Sequence, residues 1–126
     1  MAHMELKKYS VEWAPSNYQA DEANTAIFSV SAGEFVAQVA YRVLANFGAN
    51  CVINVGDGAN EVGYDAIATG VTNTTATFAV SDGAYVLNSC GKLYTSDDTI
   101  DIDYTAGAAN ASGRMRFYIL KGRIEP

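Results

Sequence analysis

The segment LYTSDDTIDIDYTAG contains four aspartates within a stretch of seven residues. They are Asp97, Asp98, Asp101 and Asp103. Their carboxylates could bind a metal ion or take part in acid–base catalysis. Three interpretations are open: a metal site with hard oxygen ligands, a carboxylate pair for acid–base chemistry, or the solvent face of a β-strand. The strand is favoured because Ile100, Ile102 and Tyr104 alternate with polar residues at the two-residue period of a strand.

The segment RMRFYIL, after the loop AGAANASG, offers these aspartates an ordinary structural role. It alternates arginine with apolar residues and is predicted to form a second strand. In an antiparallel pair of the two strands, Asp103 lies opposite Arg116 or Arg114, and Asp101 opposite Tyr118 or Arg116. Opposite charges paired across a sheet contribute from a few tenths to about 1 kcal/mol each. We therefore expect Asp101, Asp103, Arg114 and Arg116 to be structural cross-strand charges.

The segment VGDGANEVGYD is the other candidate for a metal site. Its oxygen-bearing side chains, suited to calcium, are Asp57, Asn60, Glu61 and Asp65. Their spacing does not match the calcium loop of an EF-hand, and Gly, Asn and Asp are the residues that turns prefer. The segment is predicted to be a turn, and we expect no metal and no other cofactor.

Nucleophilic catalysis has little support, because serine and cysteine nucleophiles need a base, usually histidine. The only histidine, His3, lies in the start MAHM, which has the form of residues left by a cloning site. Cys51 and Cys90 are too few for a zinc site. A disulfide between them is possible, but free thiols are favoured in a chain without an export signal. The sequence predicts a protein that is not an enzyme.

Length and charge restrict the class further. At 126 residues the chain forms one domain. Its net charge of −6 argues against nucleic acid as a partner, since recognition of the phosphate backbone needs clustered Lys and Arg. No apolar run approaches the length of a membrane span, and the start lacks the apolar region of a signal peptide.

Short alternating runs joined by turn residues predict an all-β fold. The expected strands are 27–31, 35–45, 51–55, 76–80, 84–88, 92–95, 99–105 and 114–120. Asp82-Gly83 is typical of a two-residue hairpin turn, which would pair Val80 with Tyr85. The pattern predicts a single antiparallel β-sandwich over residues 25–126, with the jelly roll as one topology that it allows.

Residues 1–24 show no sustained period and are predicted to form an extended N-terminal arm. The arm carries the only tryptophan, Trp13, which has to be buried either on its own domain or on a neighbour. Tyr9, Trp13 and Tyr18 are therefore candidate interface residues. If the arm binds a neighbour, we expect Trp13→Ala to weaken that association and leave the domain folded.

Five segments carry a resemblance to a known group. They are V-G-D-G at 55–58, G-Y-D-A at 63–66, Y-T-S-D-D-T-I-D-I at 94–102, T-A-G-A-A at 105–109 and the final strand at 114–120. Over about residues 50–121 the sequence resembles small virion proteins of tailed bacteriophages, among them capsid decoration (cement) proteins and related head or tail accessory proteins.

The resemblance implies a β-sandwich subunit, commonly a homotrimer, that lies on the outer surface of the capsid. Its partner would be the major capsid protein, whose assembled lattice it would reinforce. Two alternatives remain. A tail-tip or fibre module would bind a host surface glycan, and a carboxylate- or calcium-dependent hydrolase would lose activity on Asp101→Asn.

Overall fold

The computed structural model describes residues 3–49, 51–67, 78–80, 83–87, 91–109 and 113–125. One short helix, α1 (Ala84–Leu87), accompanies the strands of this part of the chain. The strands are β1 (His3–Trp13), β2 (Glu22–Val30), β3 (Glu34–Ala45), β4 (Gly48–Ala49), β5 (Val52–Gly56), β6 (Asp65–Ile67), β7 (Phe78–Val80), β8 (Lys92–Leu93), β9 (Asp98–Thr105), β10 (Ala108–Ala109) and β11 (Arg114–Glu125).

The strands form two larger sheets, in which each pairing is antiparallel. Sheet A has the order β1-β11-β3-β7, and β8 also pairs with β3. Sheet B has the order β2-β9-β5-β6, and β4 and β10 form a separate short pair. The predicted all-β antiparallel sandwich is confirmed.

One apolar core lies between the inner faces of the two sheets. Sheet A contributes side chains from its two central strands: Val36, Val39, Tyr41 and Val43 of β3, and Met115, Phe117 and Ile119 of β11. Sheet B contributes Phe28, Val30, Ile53, Val55, Ile100, Ile102 and Tyr104. Alternate residues along each strand are buried because side chains of a strand point to opposite faces of its sheet.

The pairing expected across Asp82-Gly83 is wrong. Val80 pairs with Ala40 of β3, and residues 84–87 form α1 where a strand was expected. The backbone N–H of Tyr85 donates to the carbonyl oxygen of Gly63 at 2.9 Å, and that of Gly83 to Tyr64 at 2.7 Å. The segment after the turn is therefore held by the loop at 63–64, while β7 adds to the edge of β3. Asp82 itself lies outside the described residues.

The hairpin expected between the aspartates and the arginines is also wrong, because β9 lies in sheet B and β11 in sheet A. Each strand has an apolar face, and the two faces meet the same core from opposite sides. Asp101 and Asp103 thus point away from Arg114 and Arg116, whose guanidinium groups instead reach Glu12 of β1, each at 3.5 Å.

The N-terminal segment is extended, but its first half does not stand apart from the sandwich. β1 pairs with β11 along its whole length, from His3 opposite Glu125 to Trp13 opposite Met115. The expected boundary between residues 24 and 25 falls inside β2. β1 is hence the outermost strand of sheet A rather than a free arm.

The three candidate interface residues have different environments. Trp13 is 6% exposed and stacks on Phe47, with ring centroids 5.8 Å apart, so it is buried on its own domain. The Tyr18 hydroxyl donates to the carbonyl oxygen of Gly113 at 2.8 Å. Tyr9 is 46% exposed. Of these three residues, Tyr9 alone is exposed enough to contact a partner with its ring.

Replacing Trp13 with alanine is therefore expected to destabilise the fold itself. Removing a large aromatic side chain from a packed core costs about 3–5 kcal/mol, and we expect a loss of that size in the free energy of unfolding. Urea titration followed by circular dichroism measures it. Tyr9→Ala is the control and should cost less than about 1 kcal/mol, since its ring is at the surface. Wild-type stability of Trp13→Ala would contradict the burial.

Candidate functional site

Among the residues that the structure describes, the densest network of polar side chains surrounds the carboxylate of Asp57. The chain turns sharply after β5: a Cβ at Gly56 would overlap the backbone of Asn60 and Glu61, so this position requires glycine. Asp57 Oδ1 then accepts hydrogen bonds from the backbone N–H groups of Ala59 and Asn60, both at 3.0 Å. Aspartate at the start of a turn commonly binds the backbone in this way.

Three side chains from later segments complete the network. The Lys92 ammonium group lies 2.6 Å from Asp57 Oδ2, and the Tyr94 hydroxyl donates to the same oxygen at 2.8 Å. The Tyr85 hydroxyl donates to Oδ1 at 3.0 Å and accepts from Lys92 at 3.1 Å. The hydroxyls of Tyr64 and Tyr94 are 2.7 Å apart. These five residues are the Asp57 cluster.

The electrostatics of the Asp57 cluster keep its ion pair charged. Burial raises the pKa of Asp57, but hydrogen bonds from Lys92, Tyr94, Asn60 and Tyr85 outweigh burial and leave the pKa below its ordinary value. Burial lowers the pKa of Lys92, and its bonds to Asp57 and Tyr85 outweigh that effect and raise it. Burial raises the pKa of Tyr94 above its ordinary value, so its hydroxyl remains a neutral donor.

The cluster is arranged for structure rather than for catalysis. The Asp57 side chain is 0% exposed and accepts five hydrogen bonds, which occupy the acceptor sites of a carboxylate. A general base needs an accessible group with a pKa near the working pH, and Asp57 meets neither condition. The groups that donate hydrogen bonds to Asp57 come from the turn, from α1 and from the segment of β8. The cluster therefore holds these three segments together.

The remaining oxygen-bearing residues of this turn do not converge on a common point. Asn60 Oδ1 accepts from the backbone N–H of Val62 at 3.1 Å, and Asp65 Oδ1 accepts from that of Ala66 at 2.8 Å. Glu61 is exposed. Within the described part of the chain, no three His, Cys, Asp or Glu residues are grouped to hold a metal ion. The hydrogen bonds confirm the turn that was predicted here.

The four aspartates of DDTIDID accept hydrogen bonds from their own domain. Asp101 and Asp103 lie on the outer face of sheet B, half-buried beside the buried Ile102, as the alternation predicted. The bonds to the four carboxylates come from Ala32 N to Asp97 (2.9 Å), Thr99 N to Asp98 (2.7 Å), Thr99 Oγ1 to Asp101 (2.6 Å) and Asn24 N to Asp103 (2.6 Å). Asn24 has a φ of +56°, a conformation that asparagine tolerates better than most residues.

Of the two cysteines, only Cys51 lies in the part of the chain that the structure describes. Cys51 is buried, with its sulfur 3.7 Å from the carbonyl oxygen of Phe47 and 3.8 Å from the Tyr104 hydroxyl. Cys90 lies outside the described residues, so the state of the pair stays a prediction. No helix in the described part of the chain has both the length and the apolar character to cross a membrane.

Sequence reasoning named Asp57 but missed its partners. Lys92, Tyr85 and Tyr94 lie 28 to 37 residues from Asp57 along the chain, and the pattern around it gives no reason to join them. A weak indication was available, since Lys92 is the only lysine between Lys8 and Lys121 and shares a strand face with Tyr94.

The two sheets form a β-sandwich, and the same fold occurs in chains of bacteriophage capsid structures. No protein-family model matches its sequence, and no curated protein does so. One similar chain comes from the acid-stable capsid structure of Helicobacter pylori bacteriophage KHP30, with a TM-score of 0.68 and 11% identity, over 99% of this chain and 97% of that one. Another comes from the capsid asymmetric unit of cyanophage Pam1, with a TM-score of 0.67 and 17% identity, over 97% and 86%.

Asp57→Asn should destabilise the fold strongly, because it leaves the Lys92 charge unpaired and points an amide donor at existing donors. Breaking a buried ion pair costs about 3–5 kcal/mol, and we expect about 3 here because Lys92 keeps some contact with water. Urea titration at pH 7 measures the loss. Asp101→Asn is the matched control and should stay within about 0.5 kcal/mol. Equal losses in the two variants would contradict the special role of the Asp57 cluster.

The stability that Asp57 supplies should also depend on pH. Its folded pKa is below its unfolded value, so the contribution is present above the unfolded pKa of about 3.9 and is lost as pH falls through the folded pKa. Thermal unfolding between pH 7 and pH 2 should therefore show a larger loss for the wild type than for Asp57→Asn. Parallel curves for the two proteins would show that Asp57 is not the group responsible.

Proposed function

We propose that this chain is a structural protein of a bacteriophage virion, and that it is a capsid decoration (cement) protein. The observation that carries the proposal is the fold similarity to chains of two phage capsid structures, which extends over at least 97% of this chain. A fold alone does not define a function. The resemblance of the segments at 55–58 and 94–102 to phage virion proteins is consistent with the same class.

The chemistry of the described side chains supports a structural role. The Asp57 carboxylate is closed to solvent and saturated with donors. The aspartates at 97–103 bind backbone and hydroxyl groups of their own domain. These carboxylates hold loops against the sandwich. Such bonds stabilise the fold, which suits a structural protein that stays bound to a capsid.

The proposed mechanism is preferential binding to the assembled state. A decoration protein that binds the closed lattice of the major capsid protein, and not its free subunits, shifts the assembly equilibrium toward the shell by mass action. Many copies act together, and a homotrimer would bind through several contacts at once, so each contact needs only modest affinity. The resemblance to decoration proteins implies the outer surface of the capsid as the location.

The proposal predicts that particles lacking this protein are less resistant to heat than particles that carry it. We expect genome release at a lower temperature, measured by the fluorescence of a dye that binds DNA, and recovery when the purified protein is added back. Saturable co-sedimentation with DNA-filled heads should accompany the recovery.

The counter-experiment uses isolated tails and host cells with the same labelled protein. Binding to tails or to cells, without binding to heads, would contradict a decoration role and favour a tail-tip or fibre module. Cryo-electron microscopy of particles that carry a labelled copy locates the protein directly.

A further inference from the structure

The outer face of sheet A concentrates positive charge on three neighbouring strands. Its side chains point away from the core because their sequence neighbours Met115, Phe117 and Val43 are buried. The cations on this face are Lys8 of β1, Arg42 of β3, and Arg114 and Arg116 of β11. They are four of the eight Lys and Arg residues of a chain whose net charge is −6.

These cations have too few anions nearby. Glu12 is the carboxylate with which Arg114 and Arg116 pair, each at 3.5 Å, and all three side chains are 43–50% exposed. Surface pairs of this kind contribute little to stability. Arg42 is exposed and forms no hydrogen bond or ion pair with any residue that the structure describes. Among the residues that the structure describes, the single carboxylate of Glu12 therefore serves a face that carries three guanidinium groups.

The arrangement also has a cost within the domain. Arg116 lies directly opposite Arg42 across β11 and β3, and like charges in this position destabilise a sheet. The Nε–H of Arg116 is buried and has no acceptor. A buried donor without an acceptor loses its hydration and gains no bond in return. A carboxylate from outside that binds both guanidinium groups would offset the repulsion between Arg42 and Arg116.

The chemistry of this face selects a protein partner over nucleic acid. Arginine binds carboxylates through two parallel hydrogen bonds, and it is preferred over lysine at protein interfaces. Tyr118 lies on the same face, with the Lys8 ammonium group 5.7 Å from its ring, and tyrosine is enriched at such interfaces. The net charge of −6 and the acidic outer face of sheet B oppose a polyanion as long as nucleic acid.

We propose that the outer face of sheet A is the docking surface of this protein, and that its partner is a protein surface rich in aspartate and glutamate. The identification of that partner as the assembled capsid lattice rests on the function proposed above. Replacing Arg42 and Arg114 tests this docking surface most cleanly. Arg42 has no partner among the described residues, and Arg114 pairs only with the exposed Glu12.

The test compares the binding of variants to particles stripped of this protein, and the control Lys7→Gln matches Arg42→Gln in net charge. We expect Arg42→Gln to weaken binding about fivefold and Arg42→Gln/Arg114→Gln at least about tenfold, as for charged contacts at the centre of an interface. Lys7→Gln removes the same charge from an exposed position outside this face and should bind like the wild type. Urea titration confirms that each variant is folded. Binding of the wild type should also weaken with salt more steeply than that of the double variant.

Each other outcome overturns a definite step. Equal binding by Arg42→Gln/Arg114→Gln and Lys7→Gln would overturn the docking face and leave the decoration role intact. Failure of the wild-type protein to bind particles would overturn the decoration role and this assignment with it. Two measurements without particles examine other occupants: self-association in sedimentation, or binding of a single-stranded oligonucleotide. If the wild type self-associates and the arginine variants do not, the face binds a second copy of the chain. If the wild type binds the oligonucleotide and the arginine variants do not, the face binds nucleic acid.

Discussion

Burial of one apolar core between two sheets is the constraint on which the rest of this structure depends. Because side chains alternate along each strand, filling the inner faces decides which residues reach the outer ones. The same alternation that buries Ile102 sends Asp101 and Asp103 to the outside of sheet B. Burial of Phe117 likewise sends Arg116 to the outside of sheet A. The acidic and basic faces of the domain are thus set by its core.

The sequence predicted the central strands but not β1, which was expected to be an arm without a strand period, and it predicted the partners of the strands poorly. Alternation is a local property, so β3, β5, β9 and β11 could be recognised from their own residues. Pairing is not local, because any two strands with matched faces satisfy the same pattern. The opposite charges of the aspartates and arginines favoured the prediction of a hairpin between these two strands. The gain from such exposed pairs, about 1 kcal/mol at most, is smaller than the gain from burying two apolar faces against each other.

The Asp57 cluster shows the same limit at the level of a site. The turn was predictable, since Gly56, Asp57 and Asn60 lie within five positions and have strong turn preferences. Lys92 and Tyr94 were not predictable, because they reach the carboxylate only after β8 has joined sheet A. Trp13 was likewise recognised as a residue that must be buried, but the choice of its own domain depended on β1 pairing with β11.

The two outer faces differ in how fully their charges are used. On sheet B the aspartates accept hydrogen bonds from their own domain, so their charge is largely committed to the fold. On the described part of sheet A the outer arginines outnumber the carboxylates that pair with them, and Arg116 lies directly opposite Arg42. A net charge of −6 keeps the protein soluble and repels most acidic surfaces at long range. The basic face of an otherwise acidic protein orients the protein as it approaches an acidic partner, because only this face is attracted to it. This asymmetry contributes more to specificity than to affinity.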